Sequence, residues 1–205
     1  MTEEEARAWL RDRFGVSRET SVATFLDLVL AESARQNLIS RGSIDSIWLR
    51  HVVDSAQLLD MVPEDAAGLW VDIGTGAGFP GMIVALLTDR DVALVEPRRK
   101  RADFLAEAVA SLDIGARVTV YPSRIEHVRA EAAVISARAV AALPELLAMA
   151  HSLSTEKTCW LLPKGVNARE EVAAARQTWH GRFHVEQSIT QAGSLIIVAT
   201  GVAPR

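Results

Sequence analysis

The stretch Val71–Gly81, VDIGTGAGFPG, constrains the fold more than any other part of the chain. An apolar run ends abruptly in glycines at alternate positions, Gly74, Gly76 and Gly78, and Pro80 follows where a helix can begin. Glycines so placed allow a tight turn and let backbone approach a ligand closely. Strand-like runs stand at Leu69–Ile73, Val92–Glu96, Val118–Tyr121, around Val134 in AVIS, and at Thr158–Pro163. Helical patterns lie between them, for example Ala102, Leu105, Val109 and Leu112. That alternation predicts an α/β fold: a doubly wound, mainly parallel sheet with helices on both faces. RFHVEQSI and SLIIVAT then follow each other with no helix between, which predicts an antiparallel hairpin at the end of the sheet.

The first third reads as helical. Thr2 and Glu5 fit a capping box, with Trp9, Leu10 and Phe14 as a short apolar face. Ser17 is placed to cap a second helix carrying Val22, Phe25, Leu26, Val29 and Leu30, which Asn37 stops. A third helix is expected from Ser43, with Ile47, Trp48, Val52 and Leu58. Met61–Gly68 has the proline, acids and glycine of a connector. Residues 1–66 are thus expected to form a helical extension packed on a core of residues 67–205.

Composition narrows the function. Lys plus Arg number 22 and Asp plus Glu 26, a formal charge of −4, which excludes a polybasic surface but not a local basic patch. Cys159 is the single cysteine, so neither a disulfide framework nor a multi-cysteine zinc site is available. The histidines, 51, 127, 151, 180 and 184, lack metal-ligand spacing, and no metal is expected. The acidic start and apolar runs far short of the roughly 20 residues of a membrane span lead us to expect a cytoplasmic protein.

The glycine turn can be parsed two ways. Gly76–Gly81 matches G-x-G-x-x-G, the dinucleotide fingerprint, whereas Asp72–Gly78 matches an acid-x-G-x-G-x-G turn. A pyrophosphate sits on helix N–H groups and wants the first glycine at the strand end with no anion beside it. Gly74 holds that place, and Asp72 would repel phosphates. A carboxylate there suits a cationic ligand such as S-adenosylmethionine. Glu96 ends the second strand, where an acid can take two ribose hydroxyls. The residues therefore favour S-adenosylmethionine over NAD, leaving an NAD-dependent oxidoreductase and a ligand-free turn as alternatives.

NLISRGSIDSIWLRHVVDS, DIGTGAGFPG, SARAVAALPEL and PKG, taken in that order, resemble the GidB family of bacterial 16S ribosomal RNA guanine-N7 methyltransferases over about residues 36–170. The resemblance implies a class I methyltransferase fold with a helical N-terminal extension, and as substrate a guanine of the small-subunit decoding region. It also implies cofactor contacts at Gly74 and Phe79 in the turn, at Ile125 and Glu126 after the third strand, and at Arg138 after the fourth.

Other groups carry weaker signals. Arg98, Arg99, Lys100 and Arg101 stand at an expected helix start, where the macrodipole disfavours cations by roughly 0.3–1 kcal/mol each when exposed. They are either a solvated first turn or a phosphate-binding patch. Lys164 is expected as a second rim cation that, with Arg138, positions RNA. Arg50, His51, Asp54 and Ser55 fall within about one helical turn. A His–Asp pair invites a general base, but guanine N7 already offers a lone pair, so positioning is the preferred role. Trp70, Trp160 and Trp48 are expected in the core, and Cys159 buried and inert. The reading is a monomeric enzyme that methylates 16S ribosomal RNA in a small-subunit particle by proximity and orientation, without a catalytic base. A non-enzymatic ribosome-binding module is the remaining alternative.

Overall fold

The computed structural model describes residues 1–205. Helix α1 (Glu3–Ser33) opens on the expected capping box: the Glu5 N–H donates to Thr2 Oγ1 at 3.2 Å, and the Thr2 N–H donates to Glu5 Oε2 at 2.7 Å. Gly15, at φ 84° and ψ 163°, kinks it, and Arg7 pairs with buried Glu19 across the kink. The break thus falls at Gly15 rather than at a Ser17 cap, because glycine alone tolerates that backbone. The helix also ends at Ser33, before Asn37.

The expected third helix is broken into pieces: α2 (Arg41–Ile44), a π-helical turn (Trp48–Val53), α3 (Asp54–Ala56) and a 3-10 turn (Gln57–Met61). Glu3 ties this segment to α1, its carboxylate accepting the backbone N–H groups of Trp48 and Leu49, both at 2.9 Å. Trp48 packs on the edge of the core, with the Arg7 guanidinium 5.2 Å from its ring centre.

The rest alternates as the sequence predicts. Strand β1 (Trp70–Ile73) leads to α4 (Gly81–Leu87), β2 (Val92–Val95) to α5 (Arg99–Ser111), and β3 (Val118–Tyr121) to a 3-10 turn at Ile125–His127. β4 (Val134–Ala137), α6 (Leu143–Ala150), β5 (Cys159–Lys164) and α7 (Ala168–Ala175) follow, before the hairpin of β6 (Trp179–Gln187) and β7 (Leu195–Pro204). The seven strands lie in the order β3-β2-β1-β4-β5-β7-β6; β7 is antiparallel to both β5 and β6, and the other pairs are parallel. The chain's order along the sheet reverses between β1 and β4, and at such a point an open α/β sheet leaves a crevice outside its carboxyl ends.

Both faces of the sheet are covered, so its central strands are buried end to end. On one face Trp70, Val92, Leu94, Val134 and Leu161 pack with α4, α5 and the N-terminal helices; on the other Val71, Ile73, Val95, Ile135 and Trp160 pack with α6 and α7. The N-terminal residues Leu10, Val22, Phe25, Leu26 and Val29 share one cluster with the sheet, so extension and core have no separate interiors. No helix is long and apolar enough to cross a membrane.

Gly78 lies directly against the extension. A Cβ there would lie 2.6 Å from Phe25 Cζ and 2.9 Å from Met82 Cγ, at φ +105°. Gly78→Ala should destabilise the fold by about 2–4 kcal/mol through overpacking and backbone strain. Gly42→Ala, inside α2 with nothing within 4 Å, should cost nothing and stabilise by up to about 1 kcal/mol. Thermal melts of the two variants check both.

Candidate active site

A cleft of about 930 Å³ opens along the carboxyl ends of the strands. Its walls are the glycine turn from Gly74 to Ala77 with Phe79, the loop Arg138–Ala142 after β4, Lys164 at the end of β5, and the connector that joins β6 to β7. His51 and Asp54 enter from the N-terminal segment, and Arg101 from the start of α5.

Two acids hold the turn. Asp72 is fully buried: Oδ2 accepts the Gly81 N–H at 2.9 Å, and Oδ1 accepts the Ser136 hydroxyl at 2.7 Å, which in turn accepts the Trp70 indole N–H at 2.8 Å. Burial pushes its carboxyl up to about 6, against the opposing pull of those hydrogen bonds. The expectation that Asp72 faces a cationic ligand is therefore corrected. The period of two in β1 sets it on the Trp70 face, beneath the start of α4. Glu96 is also buried; Oε2 accepts the Gly76 N–H at 2.9 Å and Oε1 the Arg98 N–H at 2.8 Å, so it clasps the turn to the start of α5.

The glycines divide by role. A Cβ on Gly76 would meet nothing nearer than Arg101 Nη1 at 3.7 Å, so this backbone is open to the cleft. A Cβ on Gly74 would strike Val140 Cγ2 at 2.7 Å, so its bare backbone makes room for the loop after β4. Gly78 faces Phe25 and Met82 and is no wall of the cleft, which corrects its assignment as a ligand contact.

Phe79, Arg138, His51 and Asp54 converge, although the last two lie more than 80 positions from Arg138. Phe79 is buried, stacks on His51 with centroids 4.8 Å apart, and has the Arg138 guanidinium 5.7 Å from its centre. Arg138 donates to Asp54 Oδ2 at 3.2 Å, to the Arg50 carbonyl at 3.2 Å and to His51 Nδ1 at 2.9 Å. Burial, and then the charges of Arg138 and Arg50, hold the His51 imidazole down to about 3. His51 is therefore a neutral acceptor at ordinary pH.

Lys164 is not a free rim cation. Its Nζ donates to the Ala141 carbonyl at 2.7 Å and to Glu171 Oε2 at 2.8 Å, and the same oxygen accepts the Leu143 N–H at 2.7 Å. The pair brackets the loop that carries Arg138. Glu171 gave no sequence signal, since an acid in a first helical turn is ordinary. The basic run also divides. Arg98 and Lys100 are exposed, Arg99 pairs with Asp103 at 2.8 Å, and Arg101 turns to the cleft, donating to the Asn37 carbonyl at 3.3 Å. Ile125 is buried in the second core cluster and Glu126 is exposed beside it; neither lines the cleft. Trp70 and Trp160 are fully buried, and burial pushes the Cys159 thiol up to about 11.

The family model described as rRNA small subunit methyltransferase G (GidB) matches residues 18–195. The chain belongs to this family. A Rhizorhabdus wittichii protein named ribosomal RNA small subunit methyltransferase G is 47% identical over 207 residues, covering 100% of this chain and 95% of its own. The Zymomonas mobilis protein of the same name is 44% identical, with 100% and 96% covered. Among solved structures, mitomycin 7-O-methyltransferase MmcR aligns with a TM-score of 0.64 at 13% identity, over 86% of this chain and 60% of that one. Pyrococcus horikoshii TYW2 in complex with MeSAdo aligns at 0.57 and 14%, over 74% and 62%. These two share the fold, which is that of class I methyltransferases.

His51 makes stability depend on pH. Its folded pKa lies below the ordinary 6.5, so the unfolded chain takes up a proton near pH 6.5 while the folded chain resists until about 3. The stability it contributes is complete above 6.5 and is lost as pH falls toward 3. His51→Gln keeps an acceptor for Arg138 without titrating. It should remove about 1–2 kcal/mol of the loss between pH 6.5 and 5, read by denaturant titration at each pH.

Proposed function

We propose that this chain transfers a methyl group from S-adenosylmethionine to N7 of a guanine in the decoding region of 16S ribosomal RNA. The observation that carries the reading is the open Gly76 backbone beside Glu96 at the sheet's switch point, in a chain of this family. The residues suit the cofactor. Each Glu96 oxygen accepts one backbone N–H and keeps a lone pair for a ribose hydroxyl. Gly74, Gly76 and Phe79 border the cleft, and the Ile125–Glu126 turn follows β3, the neighbour of β2 in the sheet, outside the cleft lining. When bound, S-adenosylmethionine supplies an electrophilic methyl group on a sulfonium.

The chain's own work is positioning. Guanine N7 attacks with a lone pair it already has, so no residue need remove a proton, and a His51 held neutral serves as a stacking partner and acceptor. Arg138, fixed by Asp54, His51 and the Arg50 carbonyl, presents an oriented guanidinium to the cleft. Orientation of two bound reactants alone supplies up to roughly 7–11 kcal/mol of barrier lowering. Arg98, Lys100 and Arg101 are the cations of the run without a carboxylate partner, and they form the approach for RNA phosphates; Arg99 and Lys164 take part as paired groups.

The test is methyl transfer to small-subunit particles with mapping of the product nucleotide. N7-methylguanine should appear with the wild type, and a product on another atom or no product would overturn the reading. Arg98→Glu with Lys100→Glu should weaken particle binding and lower the slope of log affinity against log salt by roughly 0.7–0.9 per lost phosphate contact. Calorimetry should find S-adenosylmethionine affinity unchanged within about twofold, as neither side chain lines the cleft.

A further inference from the structure

The connector Ser188–Ser194 runs along the cleft mouth, with Ser188, Thr190, Gln191 and Ser194 among the lining residues. It closes on itself through the Ser188 N–H to the Ser194 carbonyl at 2.9 Å, and is fastened from outside by side chains of the N-terminal segment. Gln57, 2% exposed, accepts the Ile189 N–H on Oε1 at 2.9 Å, and its Nε2 donates to Ser188 Oγ and to Asp54 Oδ1, both at 3.0 Å. Asp54 Oδ1 also accepts from Thr190 Oγ1 at 3.1 Å, while Oδ2 accepts from Arg138. A buried amide with both ends bonded is a rigid bracket, and loss of one end leaves the other unsatisfied.

The connector lies on one side of the cleft. In the sheet order, β2, which leads into Glu96, and β7, which the connector enters, are separated by β1, β4 and β5. Four strand spacings of about 4.8 Å put the two roughly 19 Å apart. A ligand bound at Gly76 and Glu96 occupies the β1–β2 side, which leaves the connector to the other reactant.

We propose that Asp54 and Gln57 are positioning residues for the nucleic-acid substrate, holding the Ser188–Ser194 connector as the wall against which the target nucleotide's strand lies. The inference rests on the RNA methyltransferase reading above. Through Asp54, one carboxylate sets both that wall and the Arg138 guanidinium, so the helical extension shapes the substrate half of the cleft.

Initial rates on intact small-subunit particles at saturating S-adenosylmethionine test it in Gln57→Ala and in Thr190→Val, a near-isosteric change at a half-exposed site that keeps the fold should the buried variant not fold. Gln57→Ala should raise KM for particles about tenfold with kcat within about twofold, and Thr190→Val should raise KM about threefold. Hydrogen exchange at the Ile189 amide should quicken in Gln57→Ala, which reads the fastening without any RNA. An unchanged KM with a released Ile189 amide would overturn the proposal, as would loss of S-adenosylmethionine affinity in step with KM. A wild type inert on the particles would sink the RNA reading itself, whereas an active wild type with unmoved KM in both variants sinks only the wall.

Discussion

A backbone that folds back on itself between β1 and α4 leaves N–H groups that no helix or strand bonds, and two buried carboxylates take them. Asp72 holds the first amide of α4, and Glu96 holds Gly76 together with the amide that opens α5. A hydrogen bond to a charged group contributes about 1.5–3 kcal/mol, and an unmatched buried amide costs about 1–3 kcal/mol. The arrangement is therefore strongly favoured over a turn without acids. It leaves the open Gly76 backbone fixed at the edge of the cleft, and every other wall is built outward from it.

The loop after β4 is the next layer. Val140 fills the space that a side chain on Gly74 would need, so the loop rests directly on the turn. Lys164 and Glu171 brace it from behind, and Asp54, His51 and the Arg50 carbonyl take up Arg138 in front. The π-helical turn at Trp48–Val53 supplies that last carbonyl from within its length, and π turns collect at functional sites because they redirect groups a regular helix would bury in its own hydrogen bonds. The extension is thus part of the cleft and not an appendage to it.

The sheet, its hairpin and the capped first helix were legible in the sequence because each rests on a local pattern: short apolar runs between helical periods, two such runs with no helix between them, and Thr2 three residues before Glu5. The broken third segment was not. Ile47, Trp48, Val52 and Leu58 leave a gap of six after Val52 that a straight helix does not favour, but the first amides of the π turn are held by Glu3, forty-five positions from Trp48. Asp72 and Glu96 were both legible as important, and for Asp72 the structure puts a buried clasp on the Gly81 amide in place of a ligand contact. An acid next to a glycine turn signals unmatched backbone amides as readily as a ligand, and the alternation of β1 decides for Asp72. Gln57, Glu171, Ser188 and Thr190 gave no signal, because their partners lie across the fold and no spacing rule joins them.

The pairing of charges in the cleft bears on the chemistry proposed for it. Arg138 and Lys164, on either side of the loop after β4, each stand on a carboxylate, Asp54 and Glu171, so that loop carries little net charge, while Arg50 and Arg101 line the cleft without a carboxylate partner. Transfer of a methyl group from a sulfonium to guanine N7 moves one positive charge from the sulfur to the base and leaves the total unchanged. An Arg138 without its carboxylate would oppose that shift. At 4 Å and an effective dielectric constant of 20 the repulsion is about 4 kcal/mol. Attraction for a polyanion comes from Arg98 and Lys100, outside the cleft, and from Arg101 at its edge; solvent screens the first two from the reacting atoms but not from phosphates that come into contact. A neutralised loop beside the base and unpaired cations along the approach let the same site draw in RNA without penalising the product it makes.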